Sequence, residues 1–572
     1  MYVRTTPRKN KDGSVVRYLQ LAHNTWDPVK KRSRTEVLYN FGREDEASRA
    51  ALERLAGSLA RFLSTAPEDP QGSLFGAAGE GFEFLGARPL GGSYALDGLW
   101  RRLGIDAALR RLLKGKRRDA AAERVLFALV ASRALAPSSK LAAARWVCED
   151  ACIAGLPLAT DDACYRAMDW LLEVQGELEC EVFHQVASLL SLEVDLLFFD
   201  TTSTYFELDE ADEPVARDER GQLLPPEAEA DAARRSGFRS YGHSKDHRSD
   251  LPQVVVGMAV TREGIPVRVW SWPGSTSDST LIRQVKDDLA GWTLSRVVWV
   301  SDRGFASAEN RRHLRRGDEH YIMAEKLRSG SAEAKAALGR AGRYSELPGG
   351  LRVKEVRVAE GERFVVCHHP ESAARDAAVR ERLVARLTDM ITTSDRLSPT
   401  RRAELRGVIS TKPGLARFLR TTPGGLLRVD AEAVKAEAKL DGKYLLRSSD
   451  PALSAADIAL GYKQLAQVER GWRDMKQVLD LRPVYHRRED RIRAHVVLCW
   501  LALLLVRVME NSCSDTWANL RRELEKLQLG SFSGPAGAFR QRTEVTAAQR
   551  AILGKLGLAE PPRLQQLTPP AS

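Results

Sequence analysis

Cysteine is scarce and unpatterned in this chain. Its 572 residues hold seven, an odd number with no regular spacing: Cys148, Cys152, Cys164, Cys180, Cys367, Cys499 and Cys513. That excludes a disulfide framework and predicts buried thiols in a reducing compartment. Cys148 and Cys152 fall on one helical face, and Cys367-His368-His369 ends a strand, but neither has the second ligand pair of a structural zinc site. Long apolar runs are missing too. The longest, Val496 to Val506, ends at Arg507 and is too short to span a bilayer. The opening MYVRTTPRKNKDG lacks an apolar signal core. No internal repeat is visible. What remains is a globular composition, 43% hydrophobic and 28% charged, in a chain too long for one core.

The charge is uneven. The net charge is +11, and residues 1–43 hold ten Lys or Arg against three Asp or Glu. A basic cluster suits nucleic acid, but many solvated surfaces are basic. Those residues read as a β-meander (YVRTT, VVRYLQLAH, TEVLYNFG) separated by turns. A helix is expected over 44–64, then a Pro/Gly/Ser linker through 65–92. Residues 93–192 carry helical period throughout and suggest a DNA-contacting module. The basic run from Arg110 to Arg118 is open to two readings, a phosphate grip or a solvated loop.

From residue 193 the pattern changes. LEVDLLFFD reads as a buried strand ending in Asp200. QVVVGMAVT and VRVWSW flank Arg262-Glu263-Gly264 and predict a hairpin. SDSTLIRQVKDDLAG predicts a helix with a serine-rich cap. RVVWVSD is a second buried strand, ending in Asp302, and HYIMAEKL a third. Residues 208–236 read as an acidic loop. Residues 328–440, strands and charged helices, break the rhythm and read as an inserted α+β domain. GKYLLRSS resumes the strands. Asp457 to Val478 then reads as one helix, with Tyr462, Glu469 and Lys476 seven apart on one stripe. An apolar helix over 492–510 should lie in the core, and 511–572 reads as a helical region and tail.

Strand-end aspartates often cap turns. They also collect at sites on α/β sheets. If the strands of Asp200 and Asp302 are neighbours, their carboxylates converge, and Glu469 on a facing helix completes a cluster. Such a cluster raises its members' pKa values unless a cation joins it. Oxygen donors of this kind suit Mg²⁺ or Mn²⁺, and two ions about 3.5–4 Å apart serve phosphodiester displacement. Lys245, Asp246 and Arg248 either touch DNA or fix their loop through Asp250. Arg482 and His486 either meet phosphate or pair inside the fold, and His495 reads as structural.

FFDTTSTYFE, GHSKDHRSDLPQVVVGMAV, VSDRGF and GYKQLAQVERGWRDMKQVLDLRPVYHRREDRIRAHV, in this order, resemble the DDE transposases of bacterial insertion sequences. The resemblance runs from about residue 90 to 510 and is narrowest to the branch with a Tyr-x2-Arg-x3-Glu-x6-Lys signature and a β-rich insertion. It implies an RNase H-like mixed-sheet catalytic core, in two parts (193–327 and 441–510) around the insertion. It implies that Asp200, Asp302 and Glu469 bind Mg²⁺ or Mn²⁺, two ions in all. Tyr462 and Lys476 match the signature residues that contact DNA backbone. Leu465 occupies the signature's Arg position, so Arg473, Arg470 or Arg303 is expected to substitute. The activity implied is cleavage at terminal inverted repeats and joining of 3′ ends to target DNA, by a homodimer synapsing two double-stranded ends, in the cytoplasm at the nucleoid. Two alternatives stay open: an RNase H-like nuclease or resolvase without strand transfer, and a regulator that binds ends without cutting.

Overall fold

The computed structural model describes residues 2–9, 15–27, 32–43, 82–114, 118–157, 159–190, 195–225, 227, 234–292, 297–359, 362–535 and 537–569. The helix expected over 44–64 and most of the linker after it lie outside these residues. The chain divides into two units, one of residues 1–190 with 474–572, the other of residues 191–473.

The first unit is built from both ends of the chain. Strands Tyr2–Lys9, Val15–Asp27 and Arg32–Arg43 form the expected antiparallel meander. Helices follow over Gly91–Arg102, Ile105–Leu113, Ala122–Leu135, Lys140–Glu149, Asp161–Glu173 and Gln175–Leu190. Ala122–Leu135 is apolar on every side and buried at every residue, as a central helix must be. Its two charged residues near the start are neutralised locally: Arg124 lies 2.7 Å from Asp97 and 2.6 Å from Glu123. Helix Glu489–Cys513 packs against this helix and against Asp161–Glu173. Among the described residues it alone is long and apolar enough to cross a membrane, longer than its apolar run suggests, and its apolar stretch is wholly buried in protein. Its Arg507, 1% exposed, pairs with Asp474 and Glu510, each at 2.6 Å.

The C-terminal region departs from expectation. Besides helices Trp517–Leu524 and Ala547–Lys555, it holds strands Gln528–Gly534, Gly537–Arg542 and Leu564–Thr568. These form a four-stranded sheet with Glu83–Pro89, which was expected to be linker. Gln528 to Ser533 align antiparallel to Pro89 to Glu83, so residues some 440 positions apart supply one another's backbone partners.

The second unit centres on a nine-stranded mixed sheet. Its strands are β1 (Leu196–Tyr205), β2 (Gln253–Val260), β3 (Pro266–Pro273), β4 (Val298–Ser301), β5 (His320–Glu325), β6 (Arg352–Ala359), β7 (Glu362–His368) and β8 (Lys443–Ser448), with the two-residue Ser345–Glu346 at one edge. From that edge the order is β6, β7, β8, β5, β4, β1, β2, β3. The β2–β3 hairpin forms as expected, and β1 pairs antiparallel with β2 and parallel with β4. β4 runs parallel to β5, with helices Asp278–Leu289 and Ala308–Leu314 in the connections before and after it. The first five strands therefore lie in the order 3-2-1-4-5. β2 and β4 are buried on both faces and read as unbroken apolar runs.

The inserted segment is only partly separate. β6 and β7 extend the main sheet, since β7 pairs with β8 over Arg363 to His368. The remainder forms a module with its own core of Leu387, Ile391, Ile409, Leu415, Phe418 and Leu427. Three of its helices, Pro370–Ile391, Pro399–Ser410 and Pro413–Ala416, start with proline, whose missing N–H costs nothing in a first turn. The module leaves and rejoins the sheet at adjacent points. His368 faces Lys443, and His369 N donates to Gly442 O at 2.9 Å. Within 208–236, expected as loop, Val215–Arg217 pairs with Arg234–Ser236.

Candidate active site

Asp200 does not end its strand. β1 continues through Thr201, Thr202, Ser203, Thr204 and Tyr205, which pair with β2 from Gly257 to Gln253. β-branched and aromatic residues suit a pleated strand, and here they carry it past the aspartate. The end that matters belongs to the parallel neighbour. β4 is aligned to β1 up to Val300 opposite Phe198. Two residues further on each chain stand Asp302 and Asp200, on one face by the two-residue period. Asp302 then starts a single turn, Arg303–Phe305, with its Oδ1 accepting Gly304 N at 2.5 Å. The capping use of this aspartate is thus realised through one of its two oxygens.

Asp200 is 21% exposed in its side chain. Its pKa is pushed up to about 6, mainly by burial, with the Lys245 ammonium opposing and the Asp302 and Asp278 charges adding. Lys245 Nζ lies 3.6 Å from Asp200 Oδ1 and 3.1 Å from Asp278 Oδ2. It also donates to Thr201 O and Thr201 Oγ1, each at 2.6 Å. Lys245, read from the sequence as touching DNA or fixing its loop, here directs its charge to the carboxylates. Arg248, read the same way, pairs with Asp250 at 2.8 Å and stacks over Tyr205, which fixes its loop.

Asp278 was missed in the sequence. It opens helix Asp278–Leu289, where the serine-rich cap was expected. Ser277 at the cap makes no side-chain bond to the helix backbone, and its hydroxyl meets Ser279 at 3.1 Å instead. An aspartate in a first turn is explained by the helix dipole. Nothing in its spacing points to Lys245, 33 residues earlier.

The helix expected over 457–478 is two. Ser454 and Asp457 form a capping box that starts Ala455–Lys463. The chain then tightens: Gln464 N bonds Gly461 O and Leu465 N bonds Tyr462 O, both at 3.0 Å, before Ala466–Gln477 begins. Leu465 is buried at the break, so an apolar side chain and not a cation stands at that place. Tyr462 and Glu469 are consequently not on one continuous stripe, whereas Glu469 and Lys476 share the second helix, Lys476 in its last turn. Glu469 and Arg473 are exposed there.

The Tyr462 phenol gathers the site. Its pKa is pushed up to about 12, first by burial and then by Asp302, Glu469 and Asp200, with Arg303 opposing. The charges of all three expected carboxylates thus reach one hydroxyl, and the exposed Arg303 opposes them there. The donors are hard oxygens with one ammonium among several negative groups, which fits a hard divalent cation. In this conformation, among the described residues, no three His, Cys, Asp or Glu side chains stand close enough to hold one ion.

Other candidates resolve as structural. Arg110 pairs with Asp106 and Glu123, Arg111 with Glu181, and Arg118 with Glu173, so these three arginines of the basic run meet carboxylates of their own module. His486 is buried against Tyr165 and His495, and burial together with Lys140 lowers its pKa to about 4. His495 Nε2 meets Leu481 O at 3.2 Å. All seven cysteines are free thiols.

Residues 3–70 match the family model of the IS1634 family transposase, N-terminal domain. Residues 227–505 match that of the transposase DDE domain, a span that includes Asp302 and Glu469 and begins after Asp200. No curated protein matches the chain. A solved structure of a piggyBac transposase synaptic complex with hairpin DNA is 10% identical, with a TM-score of 0.35, over 78% of this chain and 82% of that one. The two family matches, one over the basic meander and one over the sheet that carries the carboxylates, identify the chain as a DDE transposase of an insertion sequence.

Proposed function

We propose that the chain cuts phosphodiester bonds at the terminal inverted repeats of its element and joins the freed 3′ ends to target DNA. Asp200, Asp302 and Glu469 would hold two Mg²⁺ or Mn²⁺ ions on an RNase H-like core. The 3-2-1-4-5 strand order supports that core, with a hairpin on one side of β1 and parallel strands on the other. The observation that carries the reading is the parallel register of β1 and β4, which sets Asp200 and Asp302 each two residues beyond the paired Phe198 and Val300. Bound divalent ions supply Lewis acidity and ease deprotonation of the attacking hydroxyl or water.

The chain's own groups do the positioning. Tyr462 keeps its proton far above neutral pH and offers a hydrogen bond to a phosphate oxygen. Arg303, Arg473 and Lys476 offer cations to the DNA backbone. Lys245 and Arg248 are engaged within the chain, Lys245 with Asp200 and Asp278 and Arg248 with Asp250. Two chains would bring two element ends together at the nucleoid.

An in vitro assay tests this. DNA carrying the ends that flank the gene is incubated with Mg²⁺, Mn²⁺ or EDTA, with the native chain and with Asp302→Ala. Metal-dependent cuts at the ends with joined products, lost in Asp302→Ala, are expected. Cutting of unrelated or branched DNA without joining favours a nuclease instead. End binding with no cutting by either protein overturns the triad.

A further inference from the structure

Lys245 occupies a cradle of four oxygens. Thr201 O and Thr201 Oγ1 lie at 2.6 Å, Asp278 Oδ2 at 3.1 Å and Asp200 Oδ1 at 3.6 Å from its ammonium. They come from a strand and a helix start, and the lysine bridges the two. The backbone around the lysine is itself held in place. Lys245 N donates to Ser203 Oγ at 2.9 Å, and Ser244 Oγ accepts Arg248 N at 3.1 Å. A backbone carbonyl, a hydroxyl and two carboxylates are the donors a hard metal ion takes. An ammonium and a divalent ion cannot share the Asp200 carboxylate without repulsion.

Resting on the proposed metal-binding role of Asp200, we propose that Lys245 is a built-in counter-cation that competes with the divalent ion for Asp200, with Asp278 as the anchor that holds it there. In the metal-free protein the lysine neutralises the aspartate and keeps β1 formed around it. Loading the site requires the ammonium to yield Asp200 and fall back on Asp278 and Thr201. Lys245 is thereby a positioning residue that sets the ion concentration at which the site fills. Asp278 gains a role that separates it from the three carboxylates proposed to bind metal.

The test reads metal binding and not turnover. Free Mn²⁺ is titrated against the full-length protein by electron paramagnetic resonance, with thermal unfolding recorded in parallel. Lys245→Met and Lys245→Gln remove the competitor with two different side chains, and Asp200→Asn removes the shared ligand. Lys439→Met removes the same charge from an exposed helix end. The expected result is Mn²⁺ affinity raised about tenfold in both Lys245 variants, as the removal of one adjacent like charge warrants, with a larger Mn²⁺-induced rise in Tm. Lys439→Met should match the native chain. Mn²⁺ binding that depends on Asp200 but is equal or weaker in both Lys245 variants overturns the lysine's role and leaves the metal reading standing. Mn²⁺ binding that is absent, or indifferent to Asp200→Asn, overturns both.

Discussion

Asp200 illustrates what burial does to a single carboxylate. An ordinary aspartate is ionised well below pH 5, but here burial and two acidic neighbours lift the pKa to about 6 against the pull of Lys245. Between about pH 4 and pH 6 the folded chain keeps a proton that the unfolded chain has shed. Stability therefore falls as pH rises through that window, and the whole cost stands above it. That rise is worth on the order of 3 kcal/mol. Asp200→Asn should accordingly raise stability in EDTA at pH 7 by about that much, and the gain should vanish below pH 4, as urea unfolding at several pH values would show. Saturating Mn²⁺ should reverse the order, because only the native aspartate binds it. Asp200 and Asp302 were legible because each follows an apolar strand. Asp278 was not, because its partner is a loop lysine whose approach depends on the folded sheet.

At the scale of elements, the helix break explains why the spacing of Tyr462, Glu469 and Lys476 misled. Heptad spacing places residues on a stripe only while the helix is continuous. Leu465 is apolar and in phase, so periodicity ran across the break without a signal. The first of the two helices approaches the sheet closely. A Cβ on Gly461 would stand 3.0 Å from Leu196 Cδ1 on β1, and Tyr462 is the next residue. Gly461→Val should push this helix off β1 at a cost of about 1–3 kcal/mol. It should also lower DNA cleavage at temperatures where circular dichroism shows the chain still folded. The second helix leads into a buried ion pair. Asp474→Ala would leave the Arg507 charge with Glu510 alone and should cost about 1–3 kcal/mol, measured by denaturant unfolding. Strand β1 shows the opposite error. The strand was expected to end at Asp200, but Thr201 to Thr204 are buried against β2, a placement only the pairing reveals.

For the whole molecule, the sequence order of domains was a poor guide to their composition. The meander, the helices of 93–192, the β2–β3 hairpin and the alternating strands of the core were readable from local period alone. The unit made of both chain ends was not, because Gln528–Gly534 finds its partner in Glu83–Pro89, beyond the reach of any window. The inserted segment was recognised as an interruption, yet β6 and β7 belong to the sheet it interrupts. The register makes a sharp prediction. Removing 370–440 and closing the gap with a short Asn-Gly turn should leave β7 and β8 paired, since His368 already faces Lys443. The shortened chain should unfold cooperatively by circular dichroism. If the module grips DNA ends, gel-shift affinity for those ends should drop while the site's Mn²⁺ binding persists.

That doorway between His368 and Lys443 has a further meaning. The sheet sees the same two neighbouring chain ends whether the 74 residues between His368 and Lys443 or a short turn lies beyond them. The module is thus a cassette hung from a hinge-width gap: it can be exchanged, lengthened or lost in one genetic step without rethreading the core. Elements that share this catalytic sheet are free to differ most at this one opening.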